Sequence, residues 1–436
     1  MLIPQVGRIG RVVADLPACA AMRVNSHVRR RMDTRVRDRL RHPGDGPGIL
    51  GTPGGLGSVG ARGASCAGAE DPTNYQEAVE TMRATLLYGA GDIRVETVPD
   101  PKLVAPTDAI VKVTHSCICG SDLWPYKSSA AVPGGRRIGH EFLGVVEELG
   151  AETGGLKVGD QVIAPFLYSD NTCPNCLRGL QTSCVNGGGY GSMQADGSFV
   201  DGGQGEYVRV PLAAGTLVAV PAGAPESLAP ALLALSDVMG TGHHAALHAG
   251  AAPGATVAVV GDGAVGLCGV LAARRLGAER VILLGRNDER WTVARRFGAT
   301  DRVTERGMQL AGDAVRALTG GFGADAVMEC VGTREAFDTA VAIARPGATI
   351  GYVGVPQGLE EGRAMLPIRR LFSNNVSVSG GVAPVRAYLP ELLEDVLSGV
   401  LDPSPVFDLE LPLEQAAEGY RAMNDRTAIK VLLRAG

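Results

Sequence analysis

The run Val257-Ala258-Val259-Val260-Gly261-Asp262-Gly263-Ala264-Val265-Gly266 constrains this chain more than any other. A short apolar strand runs into glycines spaced G-x-G-x-x-G, and an apolar helical pattern follows over 265–276. In that order the glycines have separate tasks. The first permits a tight turn, the second lets the backbone approach a pyrophosphate, and the third lets helix pack on strand with its N-terminus facing the anion. Outside a strand–turn–helix setting, three glycines would say little in a chain that contains 61. Inside it they predict a parallel βαβ unit for a dinucleotide, with Gly261, Gly263, Ala264, Val265 and Gly266 at the pyrophosphate. Short apolar strands over 281–284, 326–329 and 349–353, and a helical pattern over 289–297, extend the unit into an α/β doubly wound parallel sheet.

The strand over 281–284 leads into Gly285-Arg286-Asn287. A site for NAD places an acid there, about 20 residues past the glycines, to accept hydrogen bonds from the ribose 2′-OH. Gly285 removes the repulsive carboxylate, and the Arg286 guanidinium can bind a 2′-phosphate through charge-assisted bonds. NADP is therefore the expected cofactor. In the alternative reading Arg286 is a solvated loop residue and Asp288 takes the part of the acid.

Before residue 222 the grammar is different. Runs at 85–88, 109–113, 144–146, 161–164 and 206–210, bounded by Gly, Pro and Asp, predict a barrel-like β fold. The tail reads as helices over 386–398 and 413–423 and a last strand over 429–433. A length of 436 residues suits two or three domains at about 150 residues each. No apolar run approaches the roughly 20 residues of a membrane-spanning helix, and a net charge of −5 argues against nucleic acid as a partner. That average hides residues 1–81, which carry eleven Arg, no Lys and eight acids, net +3 against −8 for the remainder. Asp15 and Pro17 interrupt any secretory apolar core, and eight acids argue against an organellar transit peptide. The expectation is a disordered leader, or translated sequence outside the working protein.

The densest chemistry is Cys117-Ile118-Cys119-Gly120-Ser121-Asp122, followed by Gly139-His140-Glu141. Spacing alone leaves a buried thiol and a structural His as the default. With Lys157-Val158-Gly159-Asp160, the glycine turn and Val353-Gly354-Val355-Pro356, however, residues 82–436 resemble the zinc-dependent medium-chain alcohol dehydrogenases. The resemblance implies a GroES-like β-rich catalytic domain over 82–236 and 384–436, a Rossmann NADP-binding domain over 237–383, and Val355 at the cofactor. It also implies Cys119, His140 and Asp237 as ligands of a catalytic zinc. Asp237 stands before Thr241-Gly242, where many members have Cys. Carboxylate oxygen is acceptable to Zn²⁺ at about 2.0–2.2 Å, and three ligands leave an open position. Glu141 is implied as an adjacent acid able to approach the metal, Asp122 as the acid orienting His140, and Ser121 as the hydroxyl that handles the substrate proton. Trp124 replaces the His that ends the family's usual relay, and with Phe166 it would wall an apolar substrate pocket. Cys117 is expected in the core.

The family's second zinc lobe, C-x₂-C-x₂-C-x₇-C, is matched with Asp170 in place of the first Cys, followed by Cys173, Cys176 and Cys184. A structural zinc is expected there, with a lobe held by packing as the alternative. His243, His244 and His248 read as packed or hydrogen-bonded, His115 as part of the strand before Cys119, and Arg386 as a surface residue or a contact to cofactor phosphate. The implied activity is a cytoplasmic NADP(H)- and zinc-dependent alcohol dehydrogenase or aldehyde reductase. Its partners would be a small alcohol or aldehyde and a second copy of the chain in a homodimer or homotetramer, with no nucleic acid and no membrane. A zinc-free quinone or enoyl reductase of the same fold, and a non-enzymatic NADPH-binding protein, remain alternatives.

Overall fold

The structure, a computed structural model, describes residues 80–194, 197–357 and 366–435. Residues 1–79, the bulk of the expected leader, lie outside them. The first strand, β1 (Thr81–Gly89), opens with Thr81 paired to Pro99 of β2 (Asp92–Pro99), one residue before the expected start at Met82. Then come β3 (Ala109–Cys117), α1 (Leu123–Ser128), β4 (Phe142–Leu149), β5 (Gln161–Ala164), β6 (Tyr207–Val210) and β7 (Val218–Ala219).

Helix α2 (Val238–Ala249) introduces the second grammar. Strand β8 (Thr256–Val260), α3 (Ala264–Arg275), β9 (Arg280–Leu284), α4 (Asp288–Arg296), β10 (Asp301–Val303), α5 (Met308–Leu318), β11 (Ala324–Glu329), α6 (Arg334–Ile343), β12 (Ala344–Tyr352) and β13 (Ser377–Gly380) alternate. The tail adds α7 (Val385–Leu397), β14 (Leu409–Pro412), α8 (Ala416–Asn424) and β15 (Val431–Arg434).

The strands β8–β13 form one parallel sheet in the order β10-β9-β8-β11-β12-β13. Its central strands are buried on both faces, so they read as continuous apolar runs rather than alternations. The order reverses between β8 and β11, and the crevice beyond their carboxyl ends is where such sheets hold ligands. Close approach of α2 to α3 is specified by small residues: a Cβ on Gly242 would stand 2.5 Å from the Gly269 nitrogen.

In the other sheet, β3 pairs with β4 along one edge. Its second edge is shared by β6 over residues 109–112 and by β15 over 115–117, so the C-terminal strand returns beside the end of β3. Cys117, Leu143, Ile163 and Leu432 of this sheet share one apolar core with Leu232, Val259 and Met328, so both sheets rest on common ground.

Two differences from the sequence reading lie in the tail. The last strand begins at Val431 rather than 429, because the Asp408 carboxylate captures the Ile429 and Lys430 amides. The tail helix expected over 413–423 is a 3₁₀ turn, Leu413–Gln415, followed by α8. Strands β10 and β13 went unforeseen, being three and four residues long and largely polar. Among the described residues no helix is long and apolar enough to cross a membrane.

Candidate metal centre and cofactor cleft

Cys119 stands where the backbone leaves β3, and its amide donates to Asp122 Oδ2 (2.9 Å), closing the turn that carries Ser121. His140 arrives just before β4 from Gly139, whose φ of +95° is a left-handed value that suits glycine. Asp237 immediately precedes α2, and the Thr241 hydroxyl donates to its Oδ1 (2.7 Å). Three distant segments thus deliver a thiol, an imidazole and a carboxylate to one point. Asp237 Oδ2 lies 3.6 Å from Cys119 Sγ and 3.7 Å from His140 Nε2. Those spacings are long for strong hydrogen bonds. They are close to the ligand–ligand edges of about 3.3–3.6 Å expected of a tetrahedron built on Zn–S and Zn–N/O bonds. The donor set therefore fits zinc.

The electrostatics agree. Burial disfavours an imidazolium, yet the Asp122 carboxylate and the Cys119 sulfur hold the His140 pKa well above its usual value. Burial, with Glu141 and Asp237 nearby, pushes the Cys119 thiol up. A cation held at the centre would replace both protons, since metal ligands must be deprotonated. His140 Nδ1 faces Asp122 Oδ1 at 3.3 Å, which leaves Nε2 directed at the centre.

Glu141 donor oxygens lie with the triad, but the side chain is fully buried and already engaged. Its Oε1 accepts from Lys430 Nζ (2.7 Å) and its Oε2 from the Cys117 thiol (3.3 Å). Lys430, 1% exposed, also donates to the Ile118 carbonyl. Burial opposes its charge, and Cys117 and Glu141 nevertheless hold its pKa well above the ordinary lysine value. Sequence reasoning missed Lys430, although a lone base inside Ala428-Ile429-Lys430-Val431-Leu432-Leu433 is an anomaly that asks for a buried acid. It also missed Gln204, which donates to the Cys117 carbonyl (3.1 Å) and Asp122 Oδ2 (3.3 Å) and accepts from Tyr420 (3.0 Å). The Phe166 ring stands edge-on to His140 at 6.3 Å, and Trp124 is half-buried in the first turn of α1.

The second cluster also closes: ligand atoms of Asp170, Cys173, Cys176 and Cys184 lie within 4.8 Å of one another. Cys173 and Cys184 sulfurs are 3.9 Å apart, close to the edge of about 3.8 Å between thiolates on one tetrahedral zinc. Burial opposes the Asp170 charge, but the amides of Thr172, Cys173 and Asn186 hold the carboxyl well below its usual range. The Cys176 and Val185 amides similarly lower the Cys173 thiol. This donor set fits a metal too.

At the glycine turn, Gly261 has φ +113°, and a Cβ on Gly266 would lie 2.0 Å from the Gly261 carbonyl oxygen. A Cβ on Gly263 would meet nothing within 4 Å, and α3 starts at Ala264 with no side chain capping it. One glycine serves conformation, one packing, and one leaves open space before bare helix amides, which fits a pyrophosphate. Val355 is half-exposed beside this crevice, its carbonyl against Gly332.

At the end of β9, the Asp262 carboxylate fills the place of the missing acid. Its Oδ2 accepts the Arg286 (3.0 Å) and Asn287 (3.4 Å) amides, while Oδ1 faces the guanidinium groups of Arg290 (3.7 Å) and Arg426 (3.4 Å). Asp288 points out, 92% exposed at its side chain and paired with Arg302 (2.7 Å).

The remaining expectations sort simply. Cys117 is core, and His115 lies in β3. His244 meets the Tyr388 hydroxyl (2.8 Å) and His248 the Ser379 hydroxyl (2.6 Å). Arg386 is not a free surface residue. It is half-buried and donates to the Gly215 carbonyl (2.9 Å).

Residues 105–222 match the alcohol dehydrogenase GroES-like domain, and residues 264–398 match the zinc-binding dehydrogenase domain. The chain belongs to the zinc-dependent medium-chain dehydrogenase family. Zinc-type alcohol dehydrogenase B of Aspergillus flavus is 32% identical, over 81% of this chain and 82% of its own length. An alcohol dehydrogenase of Cupriavidus necator is 33% identical, over 63% and 76% respectively. Among solved structures, alcohol dehydrogenase TADH of Thermus sp. ATN1 superposes with a TM-score of 0.73 at 32% identity, covering 81% of this chain and 99% of that one. As a medium-chain dehydrogenase the protein is an oxidoreductase whose family uses zinc and a nicotinamide cofactor.

Proposed function

We propose that this dehydrogenase interconverts small alcohols and aldehydes with NADP(H), using zinc held by Cys119, His140 and Asp237. The observation that carries the reading is the convergence of those three donors at ligand spacing. When bound, zinc supplies Lewis acidity toward the substrate oxygen and the nicotinamide carries the hydride. The chain's own residues set the geometry. Asp122 fixes the His140 tautomer, Thr241 fixes Asp237, and Lys430 holds Glu141 back in the core. Ser121, in the turn beside Cys119, is assigned the substrate proton. Trp124 is no onward acceptor, because an indole only donates. Trp124 and Phe166 instead offer apolar walls, which favour apolar or aromatic substrates.

For NADP the support is electrostatic. Arg286, Arg290, Arg302 and Arg426 lie about the turn at Gly285 among Asp262, Asp288 and Glu289, and the guanidinium groups of Arg286 and Arg426 suit a 2′-phosphate. We assign Asp170, Cys173, Cys176 and Cys184 to a second, structural zinc. The catalytic part is assigned to 82–236 and 384–436, and the cofactor part to 237–383.

The test is turnover of an alcohol and aldehyde panel with NADPH and NADH, before and after zinc removal. Loss of activity on chelation, its return with zinc and a higher kcat/KM with NADPH are expected. Full activity without zinc would move the protein to the zinc-free reductases.

A further inference from the structure

We propose that Arg426 is a second specificity-determining residue for the cofactor, its guanidinium binding the 2′-phosphate together with Arg286. The inference rests on the NADP reading and adds to it a residue from the opposite end of the sequence.

The four arginines around the β9 turn are not equivalent. Arg290 is 6% exposed and committed to structure, donating to the Asp262 carbonyl (3.3 Å) and the Ala428 carbonyl (3.1 Å). Arg302 is committed to the Gly285 carbonyl (3.0 Å) and to Asp288 (2.7 Å). Arg286 is exposed, and its backbone amide, held by Asp262, fixes where the side chain leaves the turn. Arg426 follows α8, and its side chain is 65% exposed. Among the described residues, its guanidinium is held by one long contact, 3.4 Å to Asp262 Oδ1. The Arg286 backbone amide and the Arg426 guanidinium therefore meet the two oxygens of one carboxylate, and both side chains keep donors to spare.

Two further features tie Arg426 to this place. Its φ of +63° is a left-handed value that a residue with a side chain adopts at a cost, so the surrounding contacts hold the backbone there. The hydrogen bond from Arg290 to Ala428 docks the 426–428 segment against the glycine turn. Asp262 also has a defined part. Its bonds to the Arg286 and Asn287 amides keep the turn closed, and Arg290 continues to neutralise it when Arg426 moves away. A guanidinium resting on a monoanionic carboxylate at 3.4 Å exchanges readily for a phosphate, which offers more charge and bidentate geometry.

The test is calorimetric binding of adenosine 2′,5′-bisphosphate and of 5′-AMP, which needs neither nicotinamide nor turnover, to the full chain and its R426Q, R426K and R286Q variants. The wild-type chain is expected to prefer the bisphosphate. R426Q should weaken the bisphosphate by about tenfold or more, the scale of a lost charge-assisted hydrogen bond, while leaving AMP nearly unchanged, and R426K should recover part of the loss. A wild-type preference that survives intact in R426Q overturns the role of Arg426 and leaves the NADP reading standing. Equal loss of both ligands in R426Q also overturns it, by showing a merely structural residue. A wild-type chain with no preference for the bisphosphate overturns the NADP reading itself, and the Arg426 assignment with it.

Discussion

The pairing of Gly285 with Asp262 can be tested by installing the acid that an NAD site would carry, Gly285→Asp. The φ of Gly285 is not left-handed, so the backbone tolerates a side chain and only space forbids it. A Cβ there would stand 2.6 Å from the Asp262 Cβ and 2.8 Å from its Oδ2. Overpacking of this kind costs about 1–3 kcal/mol. Two carboxylates about 4 Å apart near a surface repel by up to about 4 kcal/mol before neighbouring arginines offset part of it. The G285D chain should therefore lose about 2–4 kcal/mol, seen as a lowered Tm. If Asp262 turns away to make room, the Arg286 and Asn287 amides lose their acceptor, and NADPH affinity falls as well. Replacing Asp262 with Ala in the same chain removes both the clash and the repulsion. The double variant should regain most of the Tm and carry its acid where a ribose 2′-OH needs it, moving the kcat/KM ratio toward NADH. Melting curves and cofactor kinetics on the three chains decide the matter. A G285D chain with unchanged Tm and unchanged cofactor preference would refute the argument that the two positions exclude each other.

Three further outcomes follow from the geometry. Lys430→Met should cost about 3–5 kcal/mol in denaturant melts by stranding the buried Glu141 charge, and adding Glu141→Gln should recover most of it; a K430M chain as stable as wild type would contradict the ion pair. Cys176→Ser should remove one of two bound zinc ions in metal analysis while Cys119→Ala removes the other, and a variant pair that loses the same ion would show that only one site is real. Burial lowers the His243 and His244 pKa values to about 4, so between about 4 and 6.5 the unfolded chain binds protons that the folded one refuses. Stability should then rise with pH across that window, by about 1 kcal/mol per unit for each histidine after allowing for partial solvent access. An H243Q/H244Q chain with the same pH slope would show that other groups set it.

The fold was legible where local pattern and tertiary demand coincide. The β8 run, its glycines and α3 announce themselves because a strand buried on both faces must be apolar throughout. Strand β13 did not, because Ser377-Val378-Ser379-Gly380 at a sheet edge has nothing to bury on one side. Cys119, His140 and Asp237 could be named from resemblance, but no spacing in the chain says that they meet. Their convergence comes from β3 ending at Cys117, β4 starting at Phe142 and α2 starting at Val238. Lys430 and Asp262 were the harder cases. Each was visible as an odd residue in its run, a base among aliphatics and an acid between glycines, yet the partner that explains it lies far away in sequence.

The bond from Lys430 to Glu141 has a consequence for how the protein is made. The two residues are 289 positions apart. At the usual pace of synthesis Glu141 leaves the ribosome roughly 15–60 s before its base. A carboxylate that ends with no exposure cannot be sealed in alone without the cost of a stranded charge, so the floor beneath His140 stays ajar through that interval. Strand β15, which carries the base into place beside β3, emerges with it. Until then the nascent chain holds a thiol, an imidazole and a carboxylate without the frame that aims them.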